Sequence, residues 1–137
     1  MNIDAASLYE GTRLDFADPQ LRQLSRALAR SSPHKMVLRV GGSTADDLSF
    51  RADNDNVTVH MPFGYWDEML DFVDDSGLDL VFDLNAMSVR EDRGGVSVWN
   101  HSEAEMLIGH MKQANQSVHA FQVGDILAQT WTLFVLG

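Results

Sequence analysis

Leu38-Arg39-Val40-Gly41-Gly42-Ser43-Thr44-Ala45-Asp46-Asp47-Leu48-Ser49-Phe50 is the stretch on which the reading of the fold turns. Apolar β-formers stop abruptly at a glycine pair, as in a buried strand that opens into a loop. Glycine lets backbone pass close to a ligand or to another strand, because no Cβ stands in the way. Hydroxyls and carboxylates just past a strand's C-terminal end sit where barrels and open α/β sheets gather ligands. An ordinary tight turn explains the same residues, so the surroundings decide.

Upstream, Asn2 to Ala6 alternates as a first strand, with a loop from Tyr9 to Thr12. Asp18-Pro19 opens a helix, with aspartate as cap and proline at the first position. Leu21, Leu24 and Leu28 fall on one helical face, leaving Arg22, Arg26 and Arg30 outside it. Ser31-Ser32-Pro33 ends that helix, and Lys35 to Val40 is the strand that feeds the glycines. Downstream, Asp53 to Asn56 is a turn and Val57 to Val59 a small edge strand. Tyr65 to Ser76 is a helix with Trp66, Met69, Leu70 and Val73 on its inner face and Gly77 as its stop. Leu78 to Asn85 is a strand, Met87 to Val98 a charged loop, and Ser102-Glu103-Ala104-Glu105 a capping box. Its helix turns Ala104, Leu107, Ile108 and Met111 inward, and Val118 to Gly124 is a further strand.

The order β-α-β-α-β-α-β implies a parallel sheet with helical crossovers. Units of this size suit a (β/α)8 barrel, which takes ~250 residues when complete. The expected fold class is therefore α/β, the N-terminal half of such a barrel.

The chain has 137 residues, 45% hydrophobic and 22% charged, enough for one domain with a core. A net charge of −10 and an isoelectric point near 4.6 argue against a nucleic-acid partner. Without cysteine there is neither a disulfide nor a thiolate centre. No signal peptide is visible after Met1, and the apolar run from Trp131 to Gly137 is too short to span a bilayer. Three N-x-S/T triplets occur, at Asn56, Asn100 and Asn115; they are glycosylation acceptors in a secretory protein, and also arise by chance.

Asn2-Ile3-Asp4, Leu38 to Ser43 with Asp46, Ser76 to Ala86, Trp99-Asn100-His101-Ser102 and Phe121 to Gly124 together resemble the heparanase-like β-glucuronidases of glycoside hydrolase family 79. The resemblance covers residues 1 to 124 and implies a retaining glycosidase barrel acting on glucuronic-acid-containing oligosaccharides or polysaccharides. Such chemistry needs two carboxyl groups, one as acid and one as nucleophile. The family's acid/base glutamate lies in a Gly-Asn-Glu-Pro motif, where this chain reads Gly124-Asp125-Ile126-Leu127. Isoleucine holds no proton, and the chain stops before the strand that would carry the nucleophile.

The expectations are a partial barrel domain over 1–124, an aberrant apolar tail over 125–137, and a truncated product without glycosidase activity. By resemblance, Asp4 and Ser43 match positions in the substrate cleft, whereas Ala6 replaces the family's cleft asparagine. Asp4, Gly42, Ser43 and Asp46 form the expected substrate-binding set, with no catalytic residue, cofactor or metal. Asp83 and Asp125 join Asp4 and Asp46 near the strand ends, where a solvated or structural role is the ordinary one. The family is secreted, lysosomal or membrane-associated, and this chain's compartment is left open. The alternative is a non-catalytic carbohydrate-binding half barrel that associates with a partner or with itself through exposed edges.

Other groups carry less. His34, His60, His101, His110 and His119 lack metal-ligand spacing, and His110 and Glu103, seven residues apart on one helix, are expected on a solvated surface. Ser43 lacks a nucleophile elbow, Gly41 to Thr44 lacks a following Gly-Lys-Ser/Thr, and Asp53 to Asn56 is half a calcium loop. Trp66 and Trp99 are expected in the core, and Arg90 and Arg93 in a solvated loop with an acidic sugar as an alternative ligand.

Overall fold

Four runs of β-formers lie side by side, all parallel and in chain order: β1 (Asn2–Asp4), β2 (Val37–Gly41), β5 (Asp79–Leu84) and β8 (Ala120–Val123). They are seen in a computed structural model, which describes residues 1–9, 11, 13–51, 57, 59–86 and 90–123. Helices α1 (Pro19–Ser31), α2 (Phe63–Ser76) and α3 (Ser102–Gln113) make the crossovers. This is the four-stranded partial barrel expected, with no closed barrel among the described residues. No helix among them is long and apolar enough to cross a membrane.

Register explains the layers. Val40, Phe82 and Phe121 stand in one row across the sheet, and Leu38 pairs with Leu80. All five are buried against the helices, with Trp66, Met69 and Val73 of α2 and Leu107 and Met111 of α3. Trp66 meets Phe82 edge-on, ring centroids 4.9 Å apart. Strand side chains alternate faces, so Arg39, Gly41, Val81, Asp83 and Gln122 fall on the other side.

Helix ends follow the sequence closely. Asp18 Oδ1 accepts from the N–H groups of Gln20 (2.6 Å) and Leu21 (3.0 Å), and Pro19 is the first helical residue. Gly77 closes α2 at φ 69°, its N–H donating to Asp74 O at 3.0 Å.

Several expectations need correction. Leu24 and Leu28 are exposed, at 59% and 44%, and α1 turns Leu21, Ser25 and Ala29 inward instead. Arg22 and Arg26 both pair with Asp75 of α2, and Arg22 Nε donates to Phe16 O at 2.7 Å. α1 thus meets α2 along the side that carries these arginines, and Leu24 and Leu28 lie outside that contact. The first strand ends at Asp4, and Ala5–Leu8 is a 3-10 turn that buries Ala5 and Leu8. The expected edge strand is β4 (Val59–His60), paired in parallel with β3 (Leu48–Ser49).

The charged loop holds an antiparallel hairpin, β6 (Arg90–Asp92) and β7 (Ser97–Trp99), turning at Gly94 and Gly95. The capping box does not form. His101 is the N-cap of α3, Asn100 Oδ1 accepts from Ser102 N at 3.0 Å, and exposed Glu105 pairs with His101. The turn at Asp53 to Asn56 and the tail from Gly124, with Asp125 and Ile126, lie outside the described residues.

Candidate functional site

The C-terminal ends of β1 and β2 bring Asp4 and Gly42 together. Asp4 Oδ1 accepts from Ala6 N at 2.9 Å, which fixes the carboxylate at the start of the 3-10 turn. Gly42 has φ 106° and ψ 173°, a region that only glycine occupies without strain. A Cβ at Gly42 would stand 3.0 Å from Asp4 Oδ2, so the carboxylate lies against bare backbone. Ser43 begins the next 3-10 turn, Ser43–Asp47, with its side chain exposed. Asp46 lies in that turn, and its Oδ1 accepts from Ala86 N at 3.4 Å, linking the loop after β2 to the loop after β5. All four expected residues therefore sit at the C-terminal edge of the sheet. Asp4 and Gly42 are in contact; Asp46 reaches toward β5.

Beneath them runs a polar network. Arg39 Nε donates to Gln122 Oε1 at 2.9 Å, and Arg39 Nη2 pairs with Asp83 Oδ2 at 3.3 Å. Arg39 Nη1 lies 3.4 Å from Asn2 Oδ1, so one guanidinium spans β1, β2, β5 and β8. Asp83 is buried, and a buried carboxylate needs such a partner to remain charged. Gly41 makes room for the pair: a Cβ there would come within 2.9 Å of Asp83 Cβ and 3.0 Å of Arg39 Cζ. Asp83 thus takes the strand-end position expected of it, in a structural pairing.

The sequence concealed Arg39 and Gln122. Each is a lone polar residue in an apolar strand, and the signal was the alternation itself: a polar residue facing away from the helices in neighbouring strands.

Glu103, expected on a solvated surface, is instead enclosed between α3 and the loop after β2. It is buried and accepts from Ser49 Oγ (3.1 Å) and Phe50 N (3.0 Å), with Arg51 Nε at 3.2 Å. It ties the first turn of α3 to the loop after β2, a favourable end of a helix for negative charge.

A concavity of about 510 Å³ opens among Arg13, Phe50, Arg51, His60 and Phe63. Its arginines are already engaged: Arg13 Nη2 donates to His60 O at 2.6 Å and lies over the Tyr65 ring, while Arg51 pairs with Glu103. Burial pushes the Tyr65 hydroxyl up to about 12, and it donates to Leu14 O at 2.9 Å.

His110 is half-buried rather than solvated. It stacks on Phe63, centroids 4.3 Å apart, and its Nε2 lies 2.8 Å from Asp67 Oδ1. Trp66 is in the core as expected, and half-buried Trp99 packs against that core, donating Nε1–H to Asn85 O at 2.9 Å. Arg90 braces the hairpin through Ser97, and Arg93 pairs with Glu91. No group of three or more histidine, aspartate or glutamate side chains able to hold a metal occurs among the described residues.

Comparison with known proteins agrees with this geometry. Residues 11–133 match the N-terminal domain of glycosyl hydrolase family 79. Heparanase-like protein 3 of Arabidopsis thaliana is 26% identical over 124 residues, a match that covers 76% of this chain and 23% of that protein's length. A domain match over most of the chain, on a parallel four-stranded sheet with helical crossovers, shows that this chain belongs to glycosyl hydrolase family 79.

Proposed function

We propose that this domain recognises glucuronide-containing glycans at the C-terminal edge of its sheet and does not hydrolyse them on its own. The observation that carries the reading is the Asp4 carboxylate held against Gly42, beside Ser43 and Asp46 and above the Arg39–Asp83–Gln122 network. Carboxylates and exposed hydroxyls over bare backbone suit a ligand rich in hydroxyl groups. Retaining hydrolysis needs two carboxyl groups about 5–5.5 Å apart. Ile126 occupies the position that the resemblance assigns to the acid, and it cannot protonate a leaving oxygen.

Two measurements test the proposal. Purified chain incubated with a chromogenic glucuronide should release no product; steady turnover that scales with enzyme would refute the inactivity. Titration with a glucuronic-acid-containing disaccharide should show saturable binding, weakened tenfold or more by Asp4→Asn. That size follows from losing one charge-assisted hydrogen bond, worth about 1.5–3 kcal/mol. Asparagine still offers an oxygen to Ala6 N, so the turn is kept. Equal binding by the variant would remove Asp4 from the site.

A second reading is favoured by a separate observation. Among the described residues, β1 and β8 each have a strand on one side only. Unpaired edges template further pairing, which supports a domain that associates with a partner or with itself.

A further inference from the structure

Of the three N-x-S/T triplets, Asn56 lies outside the described residues, and the fold treats the other two differently. Asn100 is half-buried and used twice: Nδ2 donates to Glu91 Oε1 at 2.6 Å and Oδ1 accepts from Ser102 N. A sugar there would have to enter a half-buried position whose amide is already committed to Glu91 and to the start of α3.

Asn115 stands just past the end of α3, exposed, with φ 54°. Asparagine tolerates this left-handed conformation better than other residues with a side chain. Its backbone is pinned on both sides, Asn115 N to Lys112 O at 3.4 Å and Gln116 N to Met111 O at 2.9 Å. The middle residue of the triplet is anchored inward. Gln116 Nε2 donates to Asp67 Oδ1 at 2.7 Å, and Gln116 Oε1 accepts from Trp66 Nε1 at 3.2 Å. Asn115 and Ser117 flank that anchor, both exposed, and their side chains make no hydrogen bond among the described residues.

A small groove of about 70 Å³ adjoins them, lined by Ile108, Met111, Lys112, Gln116, Ser117 and Val118. Its mainly apolar wall suits the hydrophobic face of a first sugar.

We propose that Asn115 carries an N-linked glycan. The donor is a polyprenyl-diphosphate-linked oligosaccharide. The Asn115 amide nitrogen attacks its anomeric carbon, a C–N bond forms, and the anomeric C–O bond breaks. The lipid diphosphate leaves with the electron pair, and one amide proton goes to solvent. Asn115 lies between α3 and β8, at the N-terminal edge of the sheet. The glycan therefore projects from the end opposite Asp4 and Gly42 and leaves that site open.

The test is expression of the full chain in insect cells behind a cleavable secretion leader. Enzymatic glycan release in heavy-oxygen water then marks each occupied asparagine as labelled aspartate. The expected result is label at Asn115, and loss of one glycan's mass in Ser117→Ala, which leaves the Asn115 conformation intact. Asn115→Gly, suited to the same backbone, should lose the same mass. Secreted chain with Asn115 unlabelled, or Ser117→Ala with the mass of the parent, would overturn the proposal.

Discussion

At Gly42 the backbone and the site make the same demand. Its φ of 106° and ψ of 173° cost any other residue of order 1–3 kcal/mol, and Asp4 Oδ2 fills the space a Cβ would need. Gly42→Ala should therefore lower the unfolding free energy measured in urea by about that amount and, on the proposed reading, weaken glycan binding by moving Asp4. Gly109 is the counterexample. It lies inside α3, where an added methyl group would meet nothing within 4 Å, so Gly109→Ala should stabilise by about 0.5–1 kcal/mol through the unfolded chain. Thermal melts of both variants beside the parent check the pair; equal signs would refute the conformational argument. The glycine pair was legible in the sequence because it interrupts an apolar strand. Which glycine was strained, and which made room for a side chain, was not. That depends on Asp4, 38 positions away in sequence from Gly42, and on Asp83 of β5.

Between elements, the clamp joining α2 to α3 sets a dependence on pH. Burial alone would raise the Asp67 carboxyl. Hydrogen bonds from Gln116 and His110, together with the charge of His110, outweigh burial and hold it below the usual carboxylate range. The folded state thus favours the ionised form. Its contribution is complete above the carboxylate range of the unfolded chain, near pH 4, and fades as pH falls through the lower folded value. Asp67→Asn should be less stable than the parent at pH 7, with the gap narrowing below about pH 4. Urea midpoints at pH 7 and pH 3 decide; a gap independent of pH would mean that the carboxylate charge plays no part. Because the Asp67 side chain is partly exposed, solvent keeps the effect small. Periodicity revealed α2 and α3 and most of their inner faces, since apolar spacing reports burial. It misread α1, because the side that meets α2 carries Arg22 and Arg26, paired with Asp75, and pattern within one helix cannot register partners on another. Glu103 was hidden for a related reason: the capping signature accounted for its neighbours, while its partners lie more than 50 residues upstream.

For the molecule as a whole, alternating strand and helix signals gave the order of the parallel sheet, which local periodicity can specify because each crossover carries its own helix. The open edges are a property of no single segment. β1 and β8 each present one side without a neighbouring strand among the described residues, and on the proposed associating reading those edges are where main-chain pairing would occur. The net charge of −10 opposes it, since two copies repel. The balance should therefore respond to salt. Screening shortens the reach of repulsion to about 8 Å at physiological ionic strength and about 3 Å at 1 M, whereas edge pairing at contact distance is little affected. Sedimentation velocity should show the average mass rising with sodium chloride at fixed protein concentration. Asn2→Lys places a cation on the exposed β1 edge and brings the net charge one unit closer to zero. If charge repulsion alone governed assembly, this variant would associate more. If the β1 edge is the contact surface, a lysine there should impede strand addition and the variant should associate less at every salt concentration. A chain that stays monomeric from low to high salt would eliminate the edge-pairing reading and leave glycan recognition as the role of the domain.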